Sequence, residues 1–270
     1  MKKRRRESSE VDIDGTPRNI PHVATLADWL SEAPFTLSLS SGFFGFFAHT
    51  GMLEALVEAG LRPRRVTGSS AGAMVGGIYA AGSEPAEIAR VLLTIRRDDF
   101  WDPRPGLGLL RGRKFEAQLR AIVGGANIED GRIPASLVVH DVLRHRAVTR
   151  DHGPLSTTIR ASCAVPVLFQ PVWLGGAPYL DGGILDRPGI TPLHAGERTF
   201  YHHLASRSPW RGVLAVPTRS NLTALVIEDL PRAGPFKLGL GHCAYEAARA
   251  TTRRVLAAPH CATIWARSRA

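Results

Sequence analysis

A serine between glycines, in Gly68-Ser69-Ser70-Ala71-Gly72, stands between a strand-like Arg65-Val66-Thr67 and a helix-like run over 71–81. Gly-x-Ser-x-Gly in that setting predicts a nucleophile elbow, a tight turn that lifts a serine Oγ above the end of a sheet. Gly68 and Gly72 let strand and helix approach closely, and the turn strains the serine backbone. The amide of Ala71, at the positive end of the helix, is aimed at any oxyanion formed on Ser70. Such a nucleophile also needs a base and a pocket. Asp181, in Leu180-Asp181-Gly182-Gly183, is the candidate base, with a plain Asp-Gly turn as the alternative. The loop 41–45 follows a strand and offers free backbone amides.

These residues must be held by regular elements. Alternation of apolar and small polar residues predicts a strand over 35–40, and Met52, Leu53, Leu56 and Val57 recur at helical spacing over 48–59, closed by Gly60. Helices are predicted near 24–30, over 85–96 with Ser83 as the cap, and over 115–122, 155–162 and 242–256. Strands are predicted over 136–140 with a partner at 147–149, and over 169–174, 199–204 and 222–227. The stretch 99–106 reads as a loop, and 101–111, with Trp101, Leu107, Leu109 and Leu110 beside arginines, as a lid, a membrane-facing edge or a packed loop. Strands alternating with helices imply an α/β fold, a mainly parallel sheet covered on both faces, with the site at the carboxyl ends of strands. The expected division is a basic tail and extension over 1–33 followed by one domain over 34–270.

At this point the chain resembles the patatin-like phospholipases, serine lipid acyl hydrolases with a Ser-Asp dyad. The resemblance rests on four ordered blocks: a glycine-containing loop leading to His49-Thr50-Gly51-Met52-Leu53, the elbow 68–72, Ala161-Ser162-Cys163-Ala164-Val165-Pro166-Val167-Leu168-Phe169-Gln170-Pro171, and Asp181-Gly182-Gly183. It implies a three-layer αβα sandwich, Ser70 as nucleophile, Asp181 as general base and a phospholipid or other acyl-ester lipid as substrate. It also implies an oxyanion hole from Ala71 and from the amides of Gly42, Phe43 and Phe44. One departure stands out. The family's first loop usually reads Gly-Gly-Gly-x-Arg-Gly, whereas Ser40-Ser41-Gly42-Phe43-Phe44-Gly45 puts Phe44 at the arginine's place. The aromatic cluster there gives two readings, an acyl pocket involving Phe46, Phe47 and Trp101 or core packing beneath the loop.

Composition bounds the alternatives. The chain has 270 residues, 44% hydrophobic, with three unpatterned cysteines and no apolar run near the ~20 residues of a membrane span. A cytoplasmic protein is expected, with peripheral contact to anionic membrane as an option for its net charge of +10. Only four of its 34 basic residues are lysines, and Lys2, Lys3, Arg4, Arg5 and Arg6 form a tail. The ten histidines leave a Ser-Asp-His order open through His194, His202, His203 or His242. Neither His-Glu-x-x-His nor a paired Cys-x-x-Cys is present, nor Gly-Lys-Ser/Thr, so no metal, nucleotide or other cofactor is expected. A non-catalytic adaptor that keeps the fold and binds lipid or nucleic acid is the remaining class, although no nucleic-acid partner is expected.

Overall fold

The computed structural model describes residues 23–205 and 215–268. The basic tail at Lys2 to Arg6 lies outside them. The described strands are β1 (Thr36–Leu39), β2 (Arg65–Ser69), β3 (Gly108–Leu110), β4 (Ala135–Asp141), β5 (Arg146–Arg150), β6 (Val167–Phe169), β7 (Val172–Leu174), β8 (Ala177–Asp181), β9 (Thr199–Leu204), β10 (Leu222–Glu228) and β11 (Thr263–Arg267). The described helices are α1 (Leu26–Glu32), α2 (Phe46–Glu58), α3 (Ala71–Ala80), α4 (Pro85–Thr94), α5 (Arg113–Val123), α6 (Leu155–Ser162) and α7 (Leu240–Leu256). Nine strands form one sheet in the order β11-β10-β9-β1-β2-β4-β8-β7, with β5 also on β4. From β11 to β4 all neighbours are parallel, and β5, β8 and β7 add an antiparallel end. The α/β class and the mainly parallel sheet are those expected.

Register sorts the side chains onto two unlike faces. Leu37 lies beside Val66 and Phe200, and Leu39 beside Gly68 and His202, which makes one face apolar. All seven helices contribute to the core on that face, from Leu26 and Leu30 of α1 to Val255 and Leu256 of α7. Helix α1 therefore belongs to the same core as the rest, and the boundary expected after residue 33 does not set it apart. The opposite face carries Thr36, Ser38, Thr67 and Ser136, all buried. It is covered, among the described residues, by the segment 185–198 instead of a helix. Pro188, Gly189, Pro192 and Gly196 oppose a helix there, and hydroxyls of the sheet bond that segment directly. Ser38 Oγ donates to the Gly189 carbonyl at 3.4 Å and Thr36 Oγ1 to Glu197 at 2.5 Å.

Three local expectations change. The cap of α4 is Glu84, not Ser83, because Pro85 starts the helix and keeps its predecessor extended, and the Glu84 carboxylate bonds Arg62 and Arg132 instead of capping the helix amides. The strand expected over 169–174 is two strands, since Pro171 lacks a donor and breaks the ladder. Its first half, β6, leaves the main sheet and pairs in parallel with β3, inside the stretch 101–111 read as a loop or lid. Gly108 permits that pairing, for a Cβ there would sit 2.4 Å from the Phe169 carbonyl carbon.

Candidate active site

Strand β4 brings the two chemical residues together. Along it β2 pairs with Ala135 to Val138, and β8, running the other way, with Val139 to Asp141. Ser69 is opposite Val138 and Asp181 opposite Val139, so two strand ends meet head-on over consecutive residues. Ser70 leaves β2 at φ +53 and ψ −118, starts α3, and donates its Oγ to Asp181 Oδ2 at 2.7 Å. The glycines of the elbow are needed for contact: a Cβ on Gly68 would stand 2.4 Å from the Gly72 carbonyl carbon, and one on Gly72 2.1 Å from Leu39 O.

Both residues are buried and held by further bonds. Asp181 Oδ1 accepts the Gly183 amide at 2.7 Å, which leaves Oδ2 turned to the serine. The Ser70 amide donates to Ser162 Oγ at 2.9 Å, and that hydroxyl donates to the Val138 carbonyl at 2.6 Å. Cys163 Sγ donates to the Ser70 carbonyl at 3.3 Å. Burial, and then the negative charge of Asp181, push the Cys163 thiol well above its ordinary range, so it stays a neutral donor.

An apolar cavity of about 80 Å³ opens on Ser70. Gly42, Phe43, Phe44 and Ala71 border it with the serine, and their amides donate to no acceptor among the described residues. Phe44 is held at φ +56 in the turn closed by the Gly45 amide on the Gly42 carbonyl, at 2.8 Å. Its ring packs on Phe46 and Phe100, so the position of the family's arginine is an apolar wall here. Phe46 and Trp101 line the cavity. Phe47 does not: one step further along α2 its side chain turns into the core against Gly241, and it is 2% exposed. Met74, Phe100, Leu110, Phe115, Leu168 and Phe169 are among the residues that extend the wall from elements far apart in sequence.

The histidines are engaged elsewhere. His49 Nε2 lies 2.8 Å from the Ser40 carbonyl and so carries the proton. Its Nδ1 then accepts from His202 Nδ1 at 2.9 Å, which leaves His202 Nε2 a bare, buried acceptor without a partner among the described residues. Burial lowers His49 to about 4, and burial beside His49 takes His202 well below its ordinary value. His203 faces the other side of the sheet, 3.0 Å from the Tyr201 hydroxyl, and is lowered to about 4 by burial. His194 and His242 are exposed. No histidine among the described residues bonds Ser70 Oγ, whose partner is the carboxylate.

The fold and this serine-on-carboxylate elbow define the class, and comparison with known proteins gives the family. The family model described as patatin-like phospholipase matches residues 37–194, and the chain belongs to that family. It is similar to an uncharacterised NTE family protein of Mycobacterium bovis, at 40% identity over 162 residues, 58% of this chain and 44% of that one. It is also similar to a lysophospholipase of Emericella nidulans, at 29% identity over 165 residues, 58% of this chain and 11% of that one. This chain thus spans less than half the length of these relatives. Among solved structures, VipD from Legionella pneumophila matches with a TM-score of 0.45 and 18% identity, covering 72% of this chain and 50% of that one. No helix of the described residues is long and apolar enough to cross a membrane.

Proposed function

We propose that this protein hydrolyses acyl esters of lipids, in the manner of a phospholipase A or lysophospholipase, through an acyl-enzyme on Ser70. The observation that carries the reading is the 2.7 Å bond from Ser70 Oγ to Asp181 Oδ2 at the floor of an apolar cavity. As Oγ attacks the ester carbonyl, Asp181 takes its proton. The tetrahedral oxyanion rests on the Ala71 amide and on amides of the loop Gly42 to Phe44, each such donor being worth roughly 3 kcal/mol. Collapse expels the alcohol, for instance a glycerophospho-alcohol, which takes the proton from Asp181. Water then attacks the acyl-enzyme, gives its proton to the same carboxylate, and releases the fatty acid, with the proton returning to Ser70. The apolar wall at Phe44 suits an acyl chain and offers nothing to an anionic head group. Family membership and the lysophospholipase relative support the lipid class.

A fluorophosphonate probe followed by peptide mass spectrometry tests this directly. An adduct on Ser70 that is lost in Asp181→Asn, together with fatty acid released from lysophosphatidylcholine, is the expected result. Folded protein that takes no adduct and releases no acid would defeat the proposal in favour of a non-catalytic lipid-binding role.

A further inference from the structure

The rim of the cavity sets large apolar side chains in water. Leu107 is 85% exposed, Leu109 50%, Val167 82% and Phe236 73%. Three adjoin the lining, as Leu109 precedes Leu110, Val167 precedes Leu168 and Phe236 follows Pro235, and Leu107 precedes Gly108, which pairs with Val167 where β3 meets β6. Phe236 also packs edge-on to the lining residue Trp101, with centroids 5.8 Å apart. Val167 is held at φ +70, a backbone region that β-branched residues avoid, with its side chain in solvent. Strain of that kind persists where the surroundings impose it and clusters at functional sites. A contiguous apolar patch at a cavity mouth marks an interaction surface.

The charge on the same rim is one-sided. Residues 96–114 contain six basic and three acidic side chains. Two of the acids are occupied locally: Asp102 accepts the amides of Gly112, Arg113 and Lys114, and Asp99 that of Arg96. Arg97 lies over the rings of both Trp101 and Phe236. Among the described residues, none of Arg97, Arg104, Arg111 and Arg113 has a carboxylate at ion-pair distance. Desolvation, and then the like charges of Arg113 and Arg104, press the Arg111 guanidinium below its ordinary value.

We propose that this rim docks the protein on an anionic phospholipid bilayer, with Leu107, Leu109, Val167 and Phe236 entering the acyl layer and Arg104 and Arg113 meeting lipid phosphates. Apolar tips on separate strands and loops, ringed by guanidinium groups, fit a surface that is apolar inside and negatively charged outside. The same face carries the mouth of the cavity, so a lipid would pass from bilayer to Ser70 without crossing water. The inference rests on the lipid-hydrolase reading for what enters the cavity, whereas the docking itself is measured apart from catalysis.

The test is sedimentation of the full chain, as Ser70→Ala, with vesicles of phosphatidylcholine alone or mixed with phosphatidylglycerol. Binding is expected on the mixed vesicles and to weaken with salt. In the double variant Leu107→Asp, Leu109→Asp it should fall by at least about tenfold, from the lost apolar transfer. Each of Arg104→Glu and Arg113→Glu should weaken it by about fivefold or more. The same rim variants with Ser70 intact should hydrolyse a water-soluble short-chain ester within about twofold of wild type, since these side chains lie outside the cavity and act on its supply alone. A full chain with Lys2, Lys3, Arg4, Arg5 and Arg6 all changed to Gln separates the tail. If that chain loses binding while the leucine variant keeps it, the rim is not the docking face. Equal binding to neutral vesicles, or none to either kind, would likewise overturn the proposal, and loss of the soluble-ester reaction in the wild type would overturn only the hydrolase reading.

Discussion

Ser70 carries its hydroxyl on a strained backbone, and the bonds around it show how that conformation is retained. The left-handed φ is fixed by glycines on either side and by Ser162, whose hydroxyl joins the Ser70 amide to the Val138 carbonyl. Replacing Asp181 by Asn keeps the shape and the Gly183 contact but removes the proton acceptor. Turnover of lysophosphatidylcholine should drop by about 10²- to 10⁴-fold, with an unchanged thermal midpoint. Ser162→Ala acts differently, because two buried backbone groups lose their partner at about 1–3 kcal/mol each. Its expected signature is a lower midpoint together with a lower kcat at nearly constant KM. A lower midpoint with unchanged kcat would make Ser162 structural only. Ser70 and Asp181 were legible because each sits in a short local pattern with glycines. Ser162 lies inside a recognised block, yet its role depends on Val138 and Ser70, 24 and 92 residues away, which no local pattern encodes.

At the scale of elements, strongly periodic helices and buried strands were legible to within a few residues, while segments defined by partners were not. The periodicity of Met52, Leu53 and Leu56 marks α2 whatever surrounds it, but only the start of the helix at Phe46 decides that Phe46 lines the cavity and Phe47 the core. β3 and β11 are short, and each exists through a distant neighbour, β6 and β10 respectively. The seam between α2 and α7 is likewise invisible in sequence. There Gly51 lies so close to α7 that a Cβ would stand 2.1 Å from Tyr245 O. The same helices are tied by Tyr245 donating to Glu54 at 2.5 Å and by Arg249 pairing with Glu58. Gly51→Ala must push the helices apart, and overpacking of this kind costs about 1–3 kcal/mol. Urea denaturation should show that loss with little change in the slope, and an unaltered midpoint would mean that the seam is looser than described.

Taken whole, the molecule buries four histidines among its described residues, His140 on β4 and three grouped around β9. His49 and His202 face each other under α2, and His203 faces Tyr201 on the opposite side with Arg187 near it. Burial is the main cause in each, and none can gain a proton without a charge being buried or the site opening. The sign of the consequence follows from linkage. With an ordinary value of 6.5 in the unfolded chain and about 4 for His49 and His203 when folded, the unfolded state binds more protons throughout that interval. Stability is therefore full above pH 6.5 and is lost as pH falls toward 4, at about 1.4 kcal/mol per pH unit for each histidine. The carboxylates act lower down: Glu197 and Glu116 are held below 4.5 by their hydrogen-bonded partners, against the opposing effect of burial, and their contribution fades only beneath that value. The urea midpoint of Ser70→Ala should accordingly begin to fall near pH 6, well before carboxylates titrate. His203→Gln should shallow that slope, since it removes one of the protonating groups. A midpoint that stays level down to pH 4.5 would show that these rings take up protons without opening the core, and the acid sensitivity assigned to the fold would be wrong.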